Sequence, residues 1–508
     1  MSRVLVLGLA VLFAVGLGLV SPASAQTREE TLIYALQSDI DNWDPPNSVL
    51  REAIILGYHV FDHLAVRDLK TRKVMPNLAT SWKAVDDTTW EVKLRQGVKF
   101  HDGTPFTAKD VKATFDRVLD PTKKMTARGN HAKIKTVEIV DDYTVRFKTD
   151  GPYPLFVERL TAQVMQSDKV IREKGHEWMQ ENPVGTGPYK LAKWSRKQEH
   201  LLVRNDDYWG AKPAFKYVRV RIIPEQATQI AELLSGGVDI IKAVPPDQMD
   251  VIDKSGTART ATSPILRTAM LQLDQAARSG PNPFTDKRVR QAANMATDMD
   301  GIIKHVLNGL GDRTATGINP MAFGWDAGLK PYKQDLAGAK KLLADAGYPN
   351  GFEATFKVAP QYYYTVRSAE IIVNQLAKVG IRAKIQQVEW GQWLAQVFCL
   401  KPCENPDYDM SIIGHAEAWD IGNFANPKYY FRWDNADFQK LFKESEVTVD
   451  DRKRREQYVR MQQMLADEAP AVWLYMHPRL VVTKKGVTGI WKDLPIPSLD
   501  LSEVGWQK

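Results

Sequence analysis

Short strand-like runs alternate with helical patterns along the whole chain, and this alternation constrains the fold more than any other feature. Residues 31–36 (TLIYAL) are the first expected strand, and they lead into residues 37–48, which are rich in turn formers. No repeat of fixed period and no long linker interrupts the pattern. The sequence therefore predicts an α/β protein, in which loops at strand ends are the expected places for a ligand.

Local signals mark the limits of several elements. Thr107 and Asp110 have the spacing of a capping box, and the apolar residues that follow recur at helical spacing. Thr285 or Asp286 is the expected N-cap of a later helix. Gly347 and Gly380 are expected to end two further helices, because a left-handed residue closes many helices.

The first 25 residues have the pattern of a signal peptide. Arg3 precedes an apolar run, and residues 23–25 (ASA) form a cleavage site of the Ala-x-Ala type. An uncleaved membrane anchor is the alternative, which the glycines inside the run disfavour. No cysteine stands at the cleavage site to carry a lipid. The sequence predicts release into the periplasm as a chain of 483 residues, enough for about three domains or two large lobes.

The charge pattern indicates a mixed, solvated surface. The chain has a formal net charge of +7, with 68 basic and 61 acidic residues. These alternate along the chain, and the strongest basic run, 452–455, has acidic residues on both sides. A nucleic-acid-binding protein concentrates basic residues on one face. Nucleic acid is therefore not an expected partner.

The only two cysteines, Cys399 and Cys403, flank a Leu-Lys-Pro turn. In an oxidising compartment, two cysteines this close predict a disulfide. A metal site is the alternative, but no histidine lies close by in sequence, and two thiolates do not complete a tetrahedral site. No metal and no cofactor are expected.

Six ordered motifs span nearly the whole chain after the signal peptide. They are residues 75–82 (MPNLATSW), 90–111 (WEVKLRQGVKFHDGTPFTAKDV), 184–189 (VGTGPY), 286–292 (DKRVRQA), 342–348 (LLADAGY) and 376–381 (LAKVGI). With these motifs the sequence resembles the extracellular solute-binding protein family 5, which contains dipeptide, oligopeptide and nickel-type periplasmic binding proteins. Turns and packing explain the motif residues themselves, so ligand specificity must come from other positions.

The resemblance implies a two-lobed periplasmic binding protein of the large, three-domain type, with a hinge between the lobes. Residues 26–267 and 479–508 would form the first lobe, with 65–182 as an extra domain, and 268–478 would form the second lobe. The family role is to capture a small peptide or peptide-like solute and deliver it to the permease subunits of an ABC importer in the inner membrane. A monomer is expected.

The resemblance also places the ligand between the lobes. From the first lobe, the candidate contacts are Asn42, Trp43 and Asp44, since 43–45 (WDP) resembles the family's Leu-Asp-Pro. An equally strong alternative is that these polar groups only make turn hydrogen bonds.

The second lobe supplies aromatic candidates. These are Tyr362, Tyr363, Trp390, Trp393, His415 and Trp419. Such side chains are often core, but a cleft also uses rigid aromatic walls with a few placed polar groups.

Peptide-binding members of the family commonly carry Gly-Trp-x-x-Asp here, with the aspartate pairing the ligand ammonium. In this chain Gly414 matches, His415 replaces the tryptophan and Ala418 replaces the aspartate, while Glu417 and Asp420 lie nearby. This departure keeps opine, sugar-conjugate and metal-chelate ligands open beside a standard peptide.

Two other classes of function are weighed against transport. An enzyme would need a nucleophile with its base, paired carboxylates or a metal set, and no such local motif occurs. His59 and His63 have metal-ligand spacing, but the glutamate of a zinc protease motif is absent and packing is the better interpretation. A periplasmic chaperone shares the compartment and would not need a closed cleft. The sequence therefore predicts a binding protein without catalytic activity.

Overall fold

The computed structural model describes residues 27–48, 50–68, 73–242, 244–263, 267–276, 281–318, 320, 322–398, 407–415, 420–430, 432–477, 479–489 and 501–507. The strands up to residue 263 are β1 Thr31–Leu36, β2 Ala65–Arg67, β3 Val74–Pro76, β4 Ala79–Asp86, β5 Thr89–Leu94, β6 Ile134–Asp141, β7 Thr144–Thr149, β8 Tyr189–Ser195, β9 Glu199–Arg204, β10 Tyr217–Ile222, β11 Ile240–Lys242 and β12 Ala258–Ser263. The later strands are β13 Thr268–Leu273, β14 Asp312–Arg313, β15 Phe352–Val358, β16 Ile381–Gln387, β17 Met410–His415, β18 Ala471–Met476, β19 Arg479–Lys484, β20 Val487–Thr488 and β21 Gly505–Trp506.

Helices separate most of these strands, as expected for an α/β chain. They are α1 Arg51–Val60, α2 Ala108–Leu119, α3 Phe156–Arg159, α4 Asp168–Glu173, α5 Gly175–Met179, α6 Gln226–Ser235, α7 Met249–Lys254, α8 Lys287–Ala296, α9 Met299–Val306, α10 Leu336–Asp345, α11 Tyr363–Ala377, α12 Trp390–Trp393, α13 Ala436–Ser445 and α14 Asp451–Glu468. Over the described ranges, no helix has both the length and the apolar character needed to cross a bilayer.

The first large sheet has seven strands in the order β12-β19-β11-β1-β10-β9-β8. Its centre is parallel, because β1 pairs in parallel with both β10 and β11. All six residues of β1 are buried. Side chains alternate between the two faces of a strand, and here Leu32, Tyr34 and Leu36 join one apolar cluster while Ile33 and Ala35 join another. Both faces of the sheet are therefore covered.

The second large sheet has six strands in the order β14-β18-β13-β17-β15-β16. Strand β15 is parallel to β16 and β17, whereas β13 is antiparallel to its neighbours β17 and β18. Ala269 and Leu271 of β13 pack in one apolar cluster, and Met270 packs in another. This sheet is also covered on both faces, as expected for a core with parallel strands.

A third, smaller sheet has four antiparallel strands in the order β4-β5-β7-β6. Helix α2 covers one face, where Val111 and Phe115 join an apolar cluster with side chains from β5 and β7. The capping box predicted for Thr107 and Asp110 is confirmed at the start of α2. The N-cap of α8 is Asp286, whose side chain accepts a hydrogen bond from the Arg288 backbone.

The chain passes between the two large sheets twice. Strand β12 of the first sheet is followed by β13 of the second, and β18 of the second sheet is followed by β19 of the first. The two passages touch, because the His477 backbone nitrogen donates a hydrogen bond to the Arg267 carbonyl at 3.3 Å. The two passages therefore lie side by side.

Gly185 and Gly187 lead from α5 into β8 and pack against the end of α1. A Cβ on Gly185 would lie 1.9 Å from the Val60 carbonyl oxygen, and one on Gly187 would lie 2.6 Å from the Val60 carbonyl carbon. Neither glycine has a positive φ. Close backbone approach, and not an unusual backbone angle, therefore requires glycine here.

Candidate functional site

A cavity of about 740 Å³ lies between the two large sheets. From the first sheet, Gln37, Pro224 and Lys242 lie at or just beyond the carboxyl ends of β1, β10 and β11. From the second sheet, Pro360 and Glu389 follow β15 and β16. Loops at the carboxyl ends of parallel strands are the usual ligand sites of α/β proteins. Here two such sets of loops face each other across one cleft.

An aromatic wall forms the second-sheet side of the cleft. Trp390 and Trp393 stack face to face at 4.9 Å, and the Tyr362 ring meets Trp390 edge-on at 5.7 Å. Trp393 is buried and donates from Nε1 to Ser411 Oγ at 2.9 Å, whereas Trp390 is only half-buried. Trp393 thus anchors the wall to the sheet, and Trp390 presents it to the cavity.

His415 continues this wall at the end of β17. Its ring stacks on Tyr430 with centroids 6.0 Å apart, and its Nε2 lies 2.7 Å from the Tyr430 hydroxyl. Tyr429 packs edge-on against the His415 ring. All three side chains line the cavity. A planar or apolar part of a ligand would find stacking partners along the whole of this side.

Among the described residues, two cations and three carboxylates line the cavity. Lys242 Nζ donates to Glu52 Oε1 at 2.8 Å. Burial favours the neutral acid, but the charge and hydrogen bond of Lys242, together with Arg267, outweigh it and lower the pKa of Glu52 from 4.5 to about 2. Glu389 caps α12 by accepting from the Gly391 backbone nitrogen at 2.7 Å. Glu52, Lys242 and Glu389 therefore already have protein partners.

The tyrosines beside Arg267 remain hydrogen-bond donors at all physiological pH values. Burial raises the pKa of Tyr362 and that of Tyr363 well above 10. The Arg267 guanidinium lies 5.6 Å from the centroid of the Tyr362 ring. This corner of the cleft combines a cation with neutral phenols, which suits a negatively charged or strongly accepting group.

The structure brings the predicted residues Tyr362, Tyr363, Trp390, Trp393 and His415 to this one cavity. Glu417 and Trp419, the side chain of Asp420, and Cys399 and Cys403 lie outside the described residues, so the expected clamp and disulfide stay predictions.

The first-lobe candidates lie in a different place. Trp43 is fully buried in the core of the first sheet, and Asn42 accepts a hydrogen bond from the Asp44 backbone. The Asp44 carboxylate accepts from Arg117 Nη1 at 3.0 Å and from Gln166 Nε2 at 2.7 Å. All three of these described residues point into the protein and are not part of the cavity lining.

Sequence reasoning missed Glu52, Lys242, Arg267, Tyr429 and Tyr430. Each is a single charged residue or part of an aromatic pair without a motif around it. A signal existed for two of them: Lys242 directly follows a buried apolar pair, and Arg267 stands at the predicted boundary between lobes. Charged residues at strand ends and lobe boundaries are where a cleft residue is expected.

A second cavity, of about 560 Å³, adjoins the first. Ile54 and Tyr429 line both. Its other walls include Tyr58 of α1, Arg159 at the end of α3 and Glu446 just after α13. Across the described residues, no group of three or more His, Cys, Asp or Glu side chains is arranged to hold a metal ion.

Comparison with known proteins gives a consistent result. The family model for bacterial extracellular solute-binding proteins, family 5, matches residues 73–437. The glutathione-binding protein GsiB of Escherichia coli strain K12 is 26% identical over 501 residues, which cover 94% of this chain and 95% of GsiB.

Solved structures agree with this assignment. The periplasmic binding protein DppA from Helicobacter pylori, in complex with the peptide STSA, superposes with a TM-score of 0.83 at 26% identity and covers 94% of this chain and 98% of DppA. AgaA from A. tumefaciens R10, in complex with agropinic acid, also gives 0.83 at 26% identity, covering 94% of this chain and 99% of AgaA. With a family model matched over most of its length, the chain belongs to the bacterial extracellular solute-binding proteins, family 5.

Proposed function

We propose that this protein is the periplasmic substrate-binding component of an ABC importer and that it carries a small peptide or peptide-like solute to the membrane permease. The observation that carries this proposal is the cavity between the two large sheets, lined by strand-end loops from both. A ligand that touches both sides stabilises the closed arrangement by its differential affinity. That property suits a protein that must signal a loaded state to a transporter.

The lobes proposed for this motion are residues 26–267 with 479–508, including the extra domain 65–182, and residues 268–478. The two chain passages beside Arg267 and His477 support a hinge there. Few residues need to change their backbone angles when a hinge is this narrow. We also propose that residues 1–25 are removed on export and that the protein acts as a monomer.

Binding without chemistry is part of the proposal. The cleft offers aromatic walls and charged groups that are mostly engaged with protein partners, such as Glu52 with Lys242. DppA in complex with a peptide and GsiB as a glutathione-binding protein support a peptide-like ligand for this chain. Agropinic acid in AgaA supports an opine as the second candidate, and His415 in place of the family's tryptophan agrees with a non-standard ligand.

Mass spectrometry of small molecules released from the purified, denatured protein tests this function. Calorimetry with three probes follows: the tetrapeptide Ser-Thr-Ser-Ala, reduced glutathione and agropinic acid. We expect one-to-one binding of at least one probe, recovered intact, and thermal stabilisation equivalent to about 2.7 kcal/mol at a hundredfold excess over Kd. Fragments of the probe would indicate an enzyme. Binding only to an unfolded polypeptide would indicate a chaperone.

A further inference from the structure

Arg267 occupies a special position in the molecule. It immediately precedes β13, on one of the two passages that join the large sheets, and its side chain lines the cavity between them. Gly414 of the neighbouring strand β17 makes room for it, because a Cβ on Gly414 would lie 2.8 Å from both Cγ and Cδ of Arg267. The fold thus holds this guanidinium at the floor of the cleft, beside the hinge.

Within the part of the chain that the structure describes, the Arg267 side chain forms no direct ion pair with a carboxylate. Its Nε is buried and has no hydrogen-bond partner. Glu52 is close enough to interact through charge, but its carboxylate is held by Lys242 at 2.8 Å. Tyr362, Tyr363 and Tyr364 also lie close to the Arg267 guanidinium. On lobe closure this guanidinium would lose its water while no described carboxylate accepts a hydrogen bond from it.

Resting on the function proposed above, we infer that Arg267 binds a carboxylate of the transported ligand. The planar guanidinium fork matches a carboxylate with two parallel hydrogen bonds, and the pair is strongest where water is excluded. The neighbouring phenols can donate to the same group. The ligand class is then a compound with a free carboxylate, such as a peptide with an unblocked C-terminus, and neutral sugar conjugates are excluded.

The location of this contact also explains how binding favours closure. A carboxylate on Arg267 sits at the base of the cleft, where the two passages cross, and the rest of the ligand extends between the Trp390 wall and the strand ends of the first sheet. When the carboxylate is bound beside the proposed hinge, the part of the cleft farther from the hinge can close over the rest of the ligand. Ligands of different length can then share one anchor.

The test compares each acid with a derivative that has no free carboxylate. Ser-Thr-Ser-Ala and its C-terminal amide differ by one charge, and reduced glutathione and its diethyl ester differ by two. Calorimetry is run on the parent, on Arg267→Met, and on Arg267→Lys, which keeps the charge but loses the fork. Arg452→Met, in the exposed first turn of α14, is the control. Melting curves without ligand establish that each variant is folded. If Arg267→Met does not fold, Arg267→Lys is compared with the parent instead.

The parent should bind at least one acid about 30-fold or more tighter than its carboxylate-blocked derivative. Arg267→Met should remove that preference by weakening only the binding of the acid. Arg267→Lys should retain part of the preference, and Arg452→Met should match the parent. Equal binding of the acid and its carboxylate-blocked derivative by the parent, or an unchanged preference in Arg267→Met, overturns the inference and leaves the proposed function intact. Failure of the parent to bind either acid overturns the peptide-like ligand class and the inference together.

Discussion

Glu52 and Lys242 are 190 residues apart in sequence, yet their side chains meet at the cleft with nitrogen and oxygen 2.8 Å apart. The sequence marks Lys242 as a charge at a strand end, but no sequence pattern joins it to Glu52. For the same reason, the sequence did not predict the ion pair of Asp44, because its partner Arg117 lies 73 residues away. Asp44, predicted as a turn residue, becomes part of a buried ion pair only when helix α2, which carries Arg117, packs against it. Single charged residues therefore obtain their roles from tertiary contacts that sequence patterns do not contain.

The lowered pKa of Glu52, about 2 against 4.5, predicts a defined pH dependence of stability. A folded-state pKa below the unfolded value contributes stability above pH 4.5, and this contribution is lost as the pH falls towards 2. The difference in unfolding free energy between the parent and Glu52→Gln should narrow by about 1.4 kcal/mol from about pH 6 to about pH 3.5. Urea unfolding measures it. Lys242→Met should flatten the parent profile similarly, and parallel profiles for the parent and Glu52→Gln would contradict the prediction.

The sequence predicted helices, strands and helix caps far better than it predicted which charged residues form ion pairs. The capping box of α2, the Asp286 cap of α8 and the strand 31–36 all follow from signals within a few residues, and the structure contains each of them. The aromatic runs after β15 and β16 were predicted as cleft walls, and the structure brings them to the cavity. What the runs could not reveal is which ring faces the cavity and which packs inside, since that depends on how α12 sits on its sheet.

The two tryptophans of helix α12 have different roles. Trp390 faces the cavity, and Trp393 packs inside. Trp393→Ala should cost about 3 to 5 kcal/mol of stability, because it removes a buried indole and the hydrogen bond to Ser411. Trp390→Ala should cost less than about 1.5 kcal/mol of stability but weaken binding of the probe ligands about tenfold, because it removes the exposed layer of the stack.

Urea unfolding and calorimetry on the same preparations measure the two effects of the tryptophan substitutions. Trp325→Ala is the matched control, since Trp325 is an exposed tryptophan away from the cavity lining. It should leave both quantities nearly unchanged. Unaltered affinity in Trp390→Ala would mean that the ligand does not use this wall.

For the whole molecule, the important contacts are those that join the two large sheets. Arg367 on α11 pairs with Asp247, which lies between β11 and β12, with nitrogen and oxygen 2.8 Å apart and both side chains 46% exposed. Residues from the two halves of the chain therefore form an ion pair outside the cavity lining. Any motion that separates the sheets at this point must break it.

Removing this pair should shift the balance between open and closed forms without touching the ligand. A half-exposed pair is worth at most about 1 kcal/mol, so Arg367→Met should weaken ligand binding by no more than about fivefold and enlarge the ligand-free radius of gyration measured by X-ray scattering. Parent affinity should fall between about 0.05 M and about 0.5 M salt more steeply than that of the variant, because salt screens an exposed pair. Arg172→Met, which breaks an exposed pair within α4 only, should behave as the parent. If Arg367→Met instead keeps the parent's radius, affinity and salt dependence, the pair persists in both forms and closure is controlled by the ligand and the proposed hinge beside Arg267 alone.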